Sequence, residues 1–98
     1  MRLIYHPAAE AELLAAAHFY ETRVPKLGAQ FLGAVEHAIS LILGAPEIWR
    51  IVEADVRRYP MPRFPYGIYY RVFPDELRIL AFQHYRRHPD HWRPRLDK

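Results

Sequence analysis

The chain has 98 residues, of which 51% are hydrophobic, and carries a formal charge of +3 at pH 7; with no repeat and no low-complexity tract, it reads as one compact domain over residues 1–98 with a single core. Cysteine is absent, which excludes disulfides, thiol catalysis and thiolate metal sites. The opening MRLIYHPAAEAE is not patterned as a signal peptide, and no apolar run of bilayer-spanning length, about 18 residues, is expected, so the chain reads as cytoplasmic and away from membranes.

Leu3, Ile4 and Tyr5 form a short β-rich run ended by Pro7, and Pro7 suits the first position of a helix. Glu10 and Glu12 fall in the opening turns, where carboxylates complement the helix dipole. Leu13, Ala17, Tyr20 and Val24 recur at helical spacing as one apolar stripe, which Pro25 ends. A second helix is predicted to open near Pro25 to Leu27. It presents Leu27, Phe31, Val35, Ala38 and Ile42, widened by Leu32 and Ile39, and stops at Gly44 and Pro46. Two such helices form an αα-hairpin whose apolar stripes require a sheet or another helix to cover them. Glu47 to Val56 has no clear pattern and reads as a loop, with Trp49, Ile51 and Val52 placed to cap the core. Arg57 to Phe64 contains Pro60 and Pro62, so a strand there is irregular or lies at an edge.

Gly67 to Phe73 and Glu76 to His84 are clearer strands, joined by the Pro74-Asp75 turn pair. A tight turn sets Val72 opposite Leu77, Tyr70 opposite Ile79 and Ile68 opposite Ala81 on an apolar face that belongs against the helices. The other face then carries Tyr69 opposite Leu80 and Arg71 opposite Arg78, and continues to Phe82 and His84. Opposed like charges are destabilising, so the arginine pair either meets an anionic partner or is screened by Glu76 or a flanking carboxylate. Charge is uneven along the chain: residues 1–49 sum to −2 and residues 50–98 to +5, which concentrates the positive field in the second half.

The order strand, helix, helix, antiparallel three-strand sheet and short C-terminal tail defines an α+β fold, β-α-α-β-β-β. With Tyr5 to Glu12, the Pro62-Arg63-Phe64-Pro65-Tyr66 stretch leading into Ile68-Tyr69-Tyr70-Arg71-Val72, and the ending Arg86-Arg87 to Trp92, the chain resembles the RelE/ParE toxin superfamily of type II toxin–antitoxin modules, also described as plasmid stabilisation proteins. The resemblance spans essentially the whole chain. It implies a curved sheet backed by two helices, a growth-inhibiting activity, and a cognate antitoxin bound in a hetero-oligomer. RelE-like members cut messenger RNA in the ribosomal A site, whereas ParE-like members inhibit DNA gyrase and are not nucleases.

Metal-free RNA cleavage needs a proton acceptor, a proton donor and cations that hold the phosphate. In the nuclease reading the resemblance to RelE-like toxins implies Arg63, and Arg86 or Arg87 with Arg87 preferred, as the phosphate-binding arginines, a task that suits a guanidinium fork donating two bonds to a phosphate; His84 is the general acid or base, with Tyr85 second. Trp92 stands where RelE-like toxins carry a tyrosine; it can stack on a base but cannot transfer a proton. The lysines of RelE-like enzymes also lack counterparts, since only Lys26 and Lys98 occur here. Both departures favour the ParE-like branch, in which no catalytic residue is needed. Arg71, Arg78, Arg86 and Trp92 are then candidates for binding the target or a nucleic acid, and Tyr69, Leu80 and Phe82 for binding the antitoxin. His84, His88 and His91 have no helix to align them and only Asp90 nearby as a carboxylate, so no metal site and no cofactor are expected. A basic binding module without catalysis is the reading outside toxins.

Overall fold

The computed structural model describes residues 1–88 and 91–97. Strand β1 (Arg2–Tyr5) leads into helices α1 (Pro7–Arg23) and α2 (Leu27–Gly44); β2 (Ile51–Glu53), β3 (Val56–Pro60), β4 (Tyr66–Phe73) and β5 (Glu76–His84) follow, and a 3-10 turn spans Arg93–Asp97. The strands form a single sheet in the order β1-β5-β4-β3-β2, antiparallel except where β1 runs parallel to β5. This is the α+β order expected, with one strand added. Ile51–Glu53, expected in a loop, pairs with β3, so β3 lies inside the sheet; Pro60, lacking a donor, is confined to its last position.

The helices begin and meet as local chemistry requires. His6 is extended at φ −61°, ψ 137° and its Nδ1 accepts the Ala8 N–H at 3.0 Å, which caps α1 ahead of Pro7. Lys26, at φ 75°, makes the sharp turn into α2 without a side-chain cap of its own. Glu21 of α1 supplies the cap, its carboxylate accepting the N–H of Lys26 at 2.8 Å and of Gly28 at 3.0 Å. Glycine is required at 28 because a Cβ there would lie 2.5 Å from the Ala17 carbonyl oxygen. By length and composition α2 is apolar enough to cross a membrane, contrary to the expectation that no such run exists. Its Phe31, Val35, Ala38, Ile39 and Ile42 are buried in the core.

That core lies between the helices and one face of the sheet, where Ile68, Tyr70, Leu77, Ile79 and Phe82 meet Phe31, Val35 and Ile42. Tyr20, Phe31, Phe64 and Tyr66 form a ring cluster with centroids 5.0 to 6.4 Å apart. The hairpin register matches the expected one at Val72–Leu77, Arg71–Arg78 and Tyr70–Ile79, then slips, so that Tyr69 pairs with Ala81 and Ile68 with Phe82. Leu80 is the extra residue of a β-bulge. One inserted residue reverses the facing of everything beyond it, which corrects the expected placement of Phe82 and His84 on the open face. Phe82 instead enters the helix-side core and stacks on Tyr5 at 6.0 Å.

Candidate functional site

Beyond the bulge, the end of β5 and the turn after it form one wall of a cleft of about 390 Å³, and α1 forms the other. His84, Arg87, His91 and Tyr66 supply polar groups, while Ala15, Ala16, Phe19 and Tyr20 supply an apolar side. The turn is held by Gln83, whose buried amide donates to the carbonyls of Arg87 at 3.4 Å and His88 at 3.0 Å. His84 Nδ1 accepts the Arg86 N–H at 3.1 Å, which fixes the tautomer that carries its proton on Nε2. The His84 ring meets the edge of Tyr66 at 5.2 Å. Burial pushes the Tyr66 phenol above its ordinary pKa, opposed by the positive charge of Arg87.

Glu12 organises the end of this cleft. Its Oε1 accepts the Phe82 N–H at 3.1 Å and Arg95 Nη1 at 2.9 Å; its Oε2 meets Arg95 Nη2 at 2.8 Å and His91 Nε2 at 3.1 Å. Arg95 also donates to the Leu80 carbonyl at 3.0 Å. β1 stops at Tyr5 opposite Ile79, so Leu80 and Phe82 face an edge where no strand follows. The ion pair occupies the bonding positions of the absent strand. In the sequence Glu12 was legible only as a dipole-complementing residue; nothing in local spacing connects it to Arg95.

The candidate residues divide among separate places. His84 and Arg87 share the cleft, but Arg63 lies against α2, donating to Gln30 at 3.2 Å and lining a groove with His37 and Tyr59. Arg71 and Arg78 do sit opposite one another, and each has its own carboxylate: Arg71 grips Asp55 at 3.0 and 3.1 Å, and Arg78 grips Glu76 at 2.9 and 2.6 Å. The screened alternative is therefore the one realised. The hydrogen bond from Arg78 holds the Glu76 carboxyl below its usual range, and both guanidiniums lie near the Phe73 ring, at 5.1 and 4.6 Å. Arg86 is exposed, and Tyr85 is half-exposed with a phenol pKa raised by burial.

Trp92 is not free to stack on a base. It is 3% exposed, packed with Tyr69, Val56, Leu80 and Ala81 as a second, smaller core on the outer sheet face, with the Tyr69 ring at 5.5 Å. Tyr69 and Leu80, expected to await an antitoxin, are covered by this segment of the same chain, and Phe82 by the helices. Arg93 pairs with Glu53 through its Nε and Nη2, fastening the segment to β2 and lowering the Glu53 pKa. Asp90, the carboxylate weighed with His84, His88 and His91, lies outside the described residues. Among those described, no three His, Asp or Glu side chains are grouped to hold a metal ion.

Residues 3–89 match the family described as the ParE toxin of the type II toxin–antitoxin system, parDE. No curated protein matches the chain. Its fold is shared with a solved structure of the chromosomal ParDE TA system from P. aeruginosa, at a TM-score of 0.65 and 23% identity over 86% of this chain and 95% of that one.

Proposed function

Since the chain belongs to the ParE toxin family of type II toxin–antitoxin systems, we propose that it arrests growth in the cytoplasm by binding DNA gyrase without cutting nucleic acid, and that a cognate antitoxin neutralises it in a hetero-oligomer. Membership of the family over residues 3–89 carries the reading. The dispersal of the nuclease candidates supports the non-nucleolytic form: a phosphate held by Arg87 beside His84 has no second arginine from Arg63, which is engaged with Gln30 in another groove. Burial of Trp92 removes the remaining base-stacking group of that constellation.

The test is tightly controlled expression of the chain alone, with supercoiling and message integrity followed in the same cells. Growth arrest with lost supercoiling and intact message is the expected result. Cleaved message with normal supercoiling overturns the gyrase reading and returns His84, Arg87 and Arg63 to catalytic roles. Growth without arrest overturns toxicity and leaves a binding module or a degenerated toxin.

A further inference from the structure

A second groove, of about 350 Å³, lies against α2 and shares no lining residue with the cleft beside α1. Gln30, Gly33, Ala34 and His37 form its helical wall, at the spacing of one helix face. Tyr59 of β3, with Pro62 and Arg63 of the loop that follows, forms the opposite wall. Tyr59 is 7% exposed and its ring packs in the core, 5.1 Å from that of Trp49, yet its hydroxyl has no hydrogen-bond partner among the described residues. A phenol this deeply buried ordinarily meets a partner within the protein; here the side chain lines the groove, whose occupant is left to supply one.

Gly33 keeps the floor of the groove bare. A Cβ there would meet nothing within 4 Å and its φ is not left-handed, so nothing in the fold requires glycine at a mid-helix position that it weakens. The polar groups that remain are rich in donors. Arg63 gives Nη2 to the Gln30 Oε1 at 3.2 Å and has no carboxylate partner among the described residues; no carboxylate lines the groove. One guanidinium against apolar walls matches a single negative charge, and its planar fork matches a carboxylate. We infer that this groove binds a small aromatic monocarboxylate, its carboxylate held by Arg63, its ring lying on Gly33 and Ala34 beside Pro62, and an acceptor on it taking the Tyr59 hydroxyl proton in a hydrogen bond. Mostly apolar walls with a few convergent polar groups are the usual make-up of a small-molecule site. The inference is independent of the toxin reading, since it uses none of the residues of the cleft beside α1.

The test is titration of the isotope-labelled full chain with benzoate and with indole-3-acetate, followed by the shifts of its amide resonances, with benzamide as the uncharged isostere and inorganic phosphate as the bare anion. At least one of the two acids is expected to shift Gly33, Ala34 and His37 saturably, with a Kd of about 1 mM or tighter, and benzamide to bind about tenfold more weakly. Arg63→Gln is expected to weaken the acid about tenfold and leave benzamide unchanged, and Tyr59→Phe to weaken it about fivefold through one lost hydrogen bond. Gly33→Leu, at an exposed helix position, fills the groove and is expected to abolish the shifts while circular dichroism stays that of the unmodified chain. Failure of both acids to saturate, or shifts confined to residues away from the groove, overturns the site. Equal binding of benzamide or phosphate, or an acid affinity unchanged by Arg63→Gln, overturns the carboxylate assignment.

Discussion

Replacing Arg95 with alanine removes the two bonds to Glu12, at 2.9 and 2.8 Å, and the bond to the Leu80 carbonyl at 3.0 Å. The Arg95 and Glu12 side chains retain 12% and 20% of their exposure, between a surface pair worth about 0–1 kcal/mol and a buried pair whose breakage costs about 3–5 kcal/mol. A cost of about 2 kcal/mol follows for Arg95→Ala, or a fall in Tm of roughly 8–16 °C for a domain of this size. Glu12→Ala should cost slightly more, because the Phe82 N–H also loses its acceptor, whereas Glu12→Gln retains that acceptor and loses the charge. The double variant isolates the pair: a coupling energy of about 1–2 kcal/mol is expected from urea unfolding of the four proteins of the cycle. Strictly additive effects, with coupling under about 0.3 kcal/mol, would show that the pair contributes nothing jointly and refute the reading of it as a strand substitute.

Gly33→Ala should stabilise the chain by about 1 kcal/mol in thermal unfolding, since an added Cβ meets nothing within 4 Å in the middle of α2, whereas Gly28→Ala should destabilise it through the 2.5 Å approach to the Ala17 carbonyl. Trp92→Ala should cost about 3 kcal/mol or more in urea unfolding, and Trp92→Phe far less, because the buried Nε1 that phenylalanine lacks has no hydrogen-bond partner among the described residues. Tyr70 donates its hydroxyl to the Pro46 carbonyl at 2.7 Å, and burial pushes its pKa to about 12. A phenol whose folded pKa is raised contributes stability that is complete below pH ~10 and lost as pH rises toward about 12. Tyr70→Phe should therefore be less stable at neutral pH and should flatten the alkaline limb of a stability–pH profile.

The helices were legible because apolar residues recur at helical spacing and proline or glycine stands at each boundary; Phe31, Val35, Ala38 and Ile42 are buried as their spacing implies, whereas Val24, read as the last of the first stripe, is the exposed residue that ends α1. The Val72–Leu77 register was legible from the turn. The run Ile79-Leu80-Ala81-Phe82 was not, because four consecutive apolar residues fit either phase, and the bulge that resolves them depends on tertiary packing, with Leu80 buried under Trp92 and Phe82 under the helices. β2 was missed because its three residues pair through the backbone with little alternation. At the cleft, His84 and Arg87 were visible as residue types near the end of the last strand. Glu12 and Arg95 were not, since the contact that gives them meaning spans 83 positions.

The parallel pairing of β1 with β5 sets an order of events during synthesis. Arg2 reaches its carboxylate partner Glu76 across 74 positions, so the strand translated first waits, unpaired, until nearly the whole domain has been made. Until then Leu3, Ile4 and Tyr5 have no neighbour, and the apolar flank of α2 lacks β4 and β5 beneath it. The helical hairpin can form on its own as it emerges, through local contacts; the sheet forms afterwards in a single late closure that brings together distant parts of the chain. The sheet face that closes the core, and with it the cleft beside α1, therefore takes shape only once β5 has been made, however early the helices beside it fold.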